Sequence, residues 1–143
     1  LGHKLKLNKP HQIDACTGAF LMIKKELGQQ LNWWDEDYFF YGEDIDFCYR
    51  VKQAGYQIWF LPNTKITHYR GVTSGVKKHS KKISKAKKKT KLKAAKASTE
   101  AMRIFYTKHY LDKYPYLLSQ LILLSIKVLE EIRKLKIKIG MSF

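Results

Sequence analysis

The carboxylates between Asp35 and Asp46 are the residues best placed to do chemistry. In the stretch Asp35-Glu-Asp-Tyr-Phe-Phe-Tyr-Gly-Glu-Asp-Ile-Asp-Phe-Cys-Tyr-Arg50, Gly42 is followed at once by Glu43 and Asp44, with Asp46 two positions on. A carboxylate at a helix start, directly after a glycine, is held rigidly and can point into a cleft, where it can take a proton from a hydroxyl. Asp44 also reads as an ordinary acid at a helix N-terminus. Asp46 stands four residues before Arg50, so an ion pair on the exposed face of a helix explains it as well as a site role does.

Three other groups carry chemistry by residue type. His68 supplies an imidazole, which suits a transition metal and can also donate to phosphate. Arg70 offers a guanidinium that fits diphosphate oxygens bidentately, or simply a surface charge. Trp33 and Trp34 present aromatic faces to the apolar C–H patches of a sugar ring, or else anchor their loop to the core. Gly18 either admits a close approach of the backbone to a ligand or relieves crowding in a strand.

These residues need a scaffold, and the pattern predicts one. Gly18-Ala-Phe-Leu-Met-Ile23 is a continuous apolar run of the kind that forms a buried strand. Residues 24–30 suit a short helix that Gly28 shortens or caps. Residues 32–42 are aromatic and acidic without a period, which predicts a loop. Residues 43–54 form the clearest helix: acids fill its first turn, Arg50 and Lys52 lie near its end, and Gly55 stops it. Asp44, Phe47, Cys48, Val51 and Ala54 share its core-facing stripe. Residues 58–61 read as a second buried strand closed by Pro62-Asn63, and residues 65–69 as a third. Residues 1–12 give no clear pattern.

The remainder is basic and then helical. The net charge is +16, with an acid-free run from Lys77 to Lys96. Such a block predicts a solvated, extended or weakly helical linker that attracts polyanions: anionic lipid, nucleic acid or acidic glycan. It lacks the interleaved aromatics or arginines that read bases, so no specific nucleic-acid partner is expected. A helix is predicted from Ser98 or Thr99 to about Tyr110. A longer one follows the Tyr114-Pro115 break, with Leu117, Leu118, Leu121, Leu124, Val128, Leu129, Ile132 and Leu135 on a wide apolar face. Its apolar run falls short of the roughly 20 residues that span a bilayer. That predicts a helix lying in the plane of an anionic leaflet, or one packed on the rest of the chain.

Composition narrows the classes further. Hydrophobic residues at 45% and aromatics at 13% exclude global disorder. Cys16 and Cys48 match no CxxC or zinc spacing and read as buried free thiols in a reducing compartment. No signal peptide opens the chain, and its start at Leu1 is what a fragment would show.

Thr17-Gly-Ala-Phe20, Gly42-Glu-Asp-Ile-Asp46, Gly55-Tyr-Gln-Ile58 and Ile66-Thr-His-Tyr-Arg-Gly71 occur in the order found in family 2 glycosyltransferases. Over residues 13–75 the chain resembles the C-terminal half of these enzymes, especially the bacterial rhamnosyltransferase-like ones. The resemblance implies an α/β fold: the acceptor-side part of a GT-A domain over 1–75, then a Lys-rich linker over 76–97 and amphipathic, membrane-associated helices over 98–143. It implies an inverting hexosyltransferase that moves a sugar from a nucleotide-sugar donor to a hydroxyl of a cell-surface polysaccharide or lipid-linked glycan. Asp44 is then the catalytic base. Glu43, Thr17, Gly18 and Trp34 contact acceptor or sugar, and His68 and Arg70 contact metal or diphosphate.

A divalent metal, Mg2+ or Mn2+, is expected for the complete enzyme. Its Asp-x-Asp ligands, which close the upstream nucleotide-binding half of the family, are absent from this chain, so the chain by itself is expected to be inactive. The expected location is the cytoplasmic face of the plasma membrane. The rival expectation is a non-enzymatic basic module, derived from a glycosyltransferase, that binds membrane or nucleic acid through 77–136.

Overall fold

The computed structural model describes residues 8–69, 74 and 84–141. The chain divides into two units. The first joins Leu1–Asp35 to Glu43–His68, and the second joins Glu36–Gly42 to Tyr69–Phe143.

The first unit is built around helix α2, Glu43–Gln53. Its ends follow the sequence: Glu43, Asp44 and Asp46 complement the positive end of the dipole, and Gly55 takes φ +84° beyond the last turn. There the Tyr56 N–H donates to Val51 O at 3.1 Å and the Gly55 N–H to Lys52 O at 3.0 Å, the paired bonds of a Schellman stop. Phe47, Cys48 and Val51 pack with Ile58, and Ile13, Cys16, Leu21, Ile23, Leu27 and Leu31 close around them. Ala54, expected on this stripe, is exposed because it already belongs to the helix stop.

Strand β1, His11–Ile13, pairs antiparallel with strand β2, Ile58–Phe60, in the register His11 to Phe60 and Ile13 to Ile58. The first of these strands was not foreseeable from its own residues. The expected strand over 18–23 is instead an irregular segment. Leu21 and Ile23 turn inward while Phe20 and Met22 stay exposed, so the alternation of a strand survives without a pairing partner among the described residues. The expected third strand over 65–69 is also absent. Those residues are exposed and irregular, with no neighbouring edge among the described residues to pair with.

Helix α1, Lys25–Gln30, forms where expected, but Gly28 is neither its cap nor its end. Gly28 is buried beneath the Trp33 ring, in space a Cβ would occupy. Asn32 and Trp33 turn the chain with φ of +53° and +52°, and the Trp33 N–H bonds back to Gly28 O at 2.8 Å.

The second unit is an antiparallel pair, helix α3 at Lys88–His109 and helix α4 at Tyr116–Lys138, joined through a 3-10 turn at Leu111–Lys113. Helix α3 starts about ten residues before its expected start, so residues 88–97 are helical rather than linker. Lysine and alanine are good helix formers, and burial of Ala94 and Ala95 against Ile137 outweighs the screened repulsion of exposed lysines. The seam between the helices mixes this small apolar cluster with polar bonds. Tyr106 Oη and Ser119 Oγ lie 3.0 Å apart, Thr99 Oγ1 donates to Glu130 Oε2 at 3.3 Å, and Arg133 donates to Ser98 Oγ at 2.8 Å. The apolar face of α4 is therefore left outside: Leu117, Leu118, Leu121, Leu124, Val128, Ile132 and Leu135 are all exposed. Among the described residues no helix is long and apolar enough to cross a membrane.

The loop Glu36–Gly42 belongs to this second unit and rests on α3. Lys108 pairs with Asp37 at 2.6 Å, and the Lys93 ammonium sits 5.1 Å from the centre of the Phe39 ring. Tyr41 packs against the cluster of Ala94, Ala95 and Ile137.

Candidate functional site

The first turn of α2 brings the leading candidates together. Asp44 is half-buried, and both of its oxygens are engaged by backbone. Oδ2 accepts the Gly18 N–H at 3.0 Å, and Oδ1 accepts the N–H of Ile45 at 2.9 Å. Each carboxylate oxygen can accept a second hydrogen bond, so the group is oriented without being saturated. A Cβ placed on Gly18 would lie 3.6 Å from Asp44 Cβ, so the segment carrying Gly18 runs directly against the helix start. Thr17 Oγ1 accepts the Ala19 N–H at 3.4 Å and shapes the same turn.

Glu43, next in line, has a buried Oε2 with no hydrogen-bond partner among the described residues. A buried carboxylate oxygen left in this state costs free energy unless a donor reaches it. Asp44, Glu43, Thr17 and Gly18 thus lie in one neighbourhood.

Trp34 and His68 are not joined to this neighbourhood by any hydrogen bond among the described residues. Trp34 lies on the Phe47 ring, centroids 4.8 Å apart, so it anchors the loop to the core while keeping part of its surface exposed. His68 is exposed and makes no hydrogen bond, ion pair or ring contact with the described residues. Arg70 lies outside the described residues. Among those described, no three His, Cys, Asp or Glu side chains converge to hold a metal ion.

Asp46 does pair with Arg50 at 2.7 Å, but not on an exposed face: its side chain is 0% exposed. Arg50 extends the same network, donating to Leu31 O at 2.5 Å and Trp33 O at 2.8 Å. This clamp fixes the left-handed turn before the acidic loop. The spacing of Asp46 and Arg50 reveals their pairing, whereas only the packed core reveals its burial.

A second feature lies one turn along α2. Cys48 Sγ is 3.8 Å from Cys16 Sγ, and both thiols are free. A hydrogen bond from the Cys16 thiol pulls Cys48 down to about 7, against the opposing effect of burial. Cys16 is pushed far up by the same bond, with burial adding to it.

Residues 4–74 match the family model described as the N-terminal domain of galactosyltransferase. This segment is related to glycosyltransferases. The chain is also 35% identical over 57 residues to rhamnosyltransferase WbbL of Escherichia coli, covering 40% of this chain and 22% of that relative. It is 29% identical over 63 residues to an N-acetylglucosaminyl-diphospho-decaprenol L-rhamnosyltransferase of Mycobacterium tuberculosis, covering 44% of this chain and 20% of that one. The chain spans about a fifth of the length of these curated relatives. No solved structure gives a significant match. The family match takes in the whole neighbourhood of Asp44, so the glycosyltransferase-related segment and the candidate site are one region.

Proposed function

We propose that this chain carries the acceptor-side part of an inverting, GT-A-type family 2 glycosyltransferase, with Asp44 as the base. The observation that carries the reading is the Asp44 carboxylate, fixed by the Gly18 and Ile45 N–H groups, with the preceding residue, Glu43, holding an Oε2 that has no hydrogen-bond partner among the described residues. In the reaction, the acceptor hydroxyl gives its proton to a free lone pair of Asp44 as its oxygen bonds to the anomeric carbon of the donor. The bond from that carbon to the diphosphate oxygen breaks on the opposite face, the nucleoside diphosphate leaves, and the anomeric configuration inverts. Glu43 Oε2 is satisfied by a second hydroxyl of the acceptor and so orients it.

The names of the two relatives suggest a rhamnosyl donor and, for one, an acceptor built on a polyprenyl diphosphate. We take these as the first substrates to try, with a cell-surface polysaccharide or lipid-linked glycan as the product class. Donor nucleotide and divalent metal both need groups beyond the described residues, so this chain alone should not turn over. Replacing Asp44 by Asn in the complete enzyme is the direct test, and undiminished transfer would end the assignment.

A second reading, a non-enzymatic basic module working through 77–136, is favoured by the exposed apolar face of α4. Deleting 77–136 separates the two, since an enzyme retains some transfer to a soluble acceptor and the module loses all function.

A further inference from the structure

We infer that the helical pair α3–α4 is a docking face for an anionic lipid surface, with α4 lying in the interface. The inference stands on the second unit alone and does not depend on Asp44. Leu117, Leu121, Leu124, Val128, Leu135 and Ile139 recur at spacings of three, four and seven and lie exposed along one line. That line is about 33 Å long at the rise of an α-helix. The opposite side of α4, at Ser119, Ile126 and Ile137, is the side that is buried, and the seam with α3 is made by Ile137 on Ala94 and Ala95 together with polar bonds. The apolar line is thus spare: it takes no part in holding the two helices together.

Its borders identify the occupant. Lys127, Lys134 and Lys138 flank one side of the line, and Lys136 the other. Glu131, the acid at the border, is paired with Lys134 at 2.9 Å. Antiparallel packing then brings the lysine-rich start of α3 to the lysine-rich end of α4, where Lys88 Nζ donates to Lys138 O at 3.2 Å. The first turn of α3 has no acid and no side-chain cap, so cations crowd the positive end of a helix dipole. Two copies meeting along this line would bring like-charged borders together, whereas an anionic leaflet complements them. Tyr114 and Tyr116, exposed at the start of α4, suit the headgroup level.

The test is cosedimentation of the full chain with phosphatidylglycerol vesicles and with phosphatidylcholine vesicles. We expect capture by the anionic vesicles that weakens with salt, and little capture by the neutral ones. Leu121→Glu with Val128→Glu should lower the anionic partition roughly tenfold or more, with helicity by circular dichroism unchanged. Lys127→Glu with Lys136→Glu, which leaves the apolar line intact, should lower it severalfold. Absence of capture by anionic vesicles overturns the inference. So does capture that survives the Leu121 and Val128 changes, or a dimer in solution that those changes dissociate without any vesicle binding. Equal binding of nucleic acid and vesicles, indifferent to the apolar line, would show that the lysines act alone and overturn it as well.

Discussion

The Gly18 N–H donates to Asp44 Oδ2 across 3.0 Å, linking an irregular segment to the first turn of α2. This bond gives the carboxylate a single orientation and places the backbone of residues 17–19 beside it. The close approach leaves room for a methyl group and little more, since a Cβ on Gly18 would meet Asp44 Cβ at 3.6 Å. Gly18→Ala should therefore keep its stability within about 1 kcal/mol of the parent. Gly18→Val should push the segment off the helix and reduce transfer in the complete enzyme more than it reduces stability. Urea unfolding beside initial rates would check both.

Gly28 and Trp33 make a second such pair. Gly28→Ala places a methyl group in the volume of the Trp33 ring and should cost roughly 1–3 kcal/mol, as overpacking does. Adding Trp33→Ala should recover part of that loss, and the double-mutant cycle measures how much.

The Asp46–Arg50 clamp should be more costly to break. Arg50→Met leaves a buried carboxylate without its cation and frees Leu31 O and Trp33 O. A loss of up to roughly 3 kcal/mol is expected, at the lower end for buried pairs because Arg50 keeps some contact with water. Removing both partners as Asp46→Leu with Arg50→Met should cost less than Arg50→Met alone, which chemical denaturation would show.

These pairs explain what the sequence discloses and what it withholds. Helix α2 is legible from end to end, because its acids, its apolar stripe and Gly55 each act locally. The strand at His11–Ile13 is not, because its three residues gain their conformation only from pairing with Ile58–Phe60. The helical start at Lys88 depends on Ala94 and Ala95 meeting Ile137 more than forty positions away, and a lysine tract read by itself gives no sign of that partner. The helix start that carries Glu43 and Asp44 is legible from its glycine and acids, whereas the meeting of Gly18 with Asp44 is a contact across 26 positions. The burial of Asp46 is not legible either, since an i,i+4 pair looks the same on either face.

The thiol pair gives a pH-dependent signal. With Cys48 drawn down to about 7, thiolate absorbance should rise through neutral pH and account for one sulfur of the two. Cys16→Ala removes the donor and should move that rise to higher pH, because burial then acts on Cys48 unopposed by the hydrogen bond. An ultraviolet titration of both proteins measures the difference.

Gly42 turns the acidic loop into α2 with φ +94°, and a Cβ there would lie 2.9 Å from Ala101 Cβ on α3. Gly42→Ala should strain this turn by about 1–2 kcal/mol and lift the loop from its helix. Urea unfolding of the parent and the variant measures that cost.

The most direct measurement is the turnover of the complete enzyme carrying Asp44→Asn, with a rhamnosyl nucleotide donor and a lipid-diphosphate acceptor. Asparagine keeps the shape and can still accept the Gly18 N–H, but it cannot take up the acceptor proton. The account predicts a fall in kcat of roughly 100- to 10,000-fold with acceptor binding retained. A kcat within a few-fold of the parent would contradict Asp44 as the base.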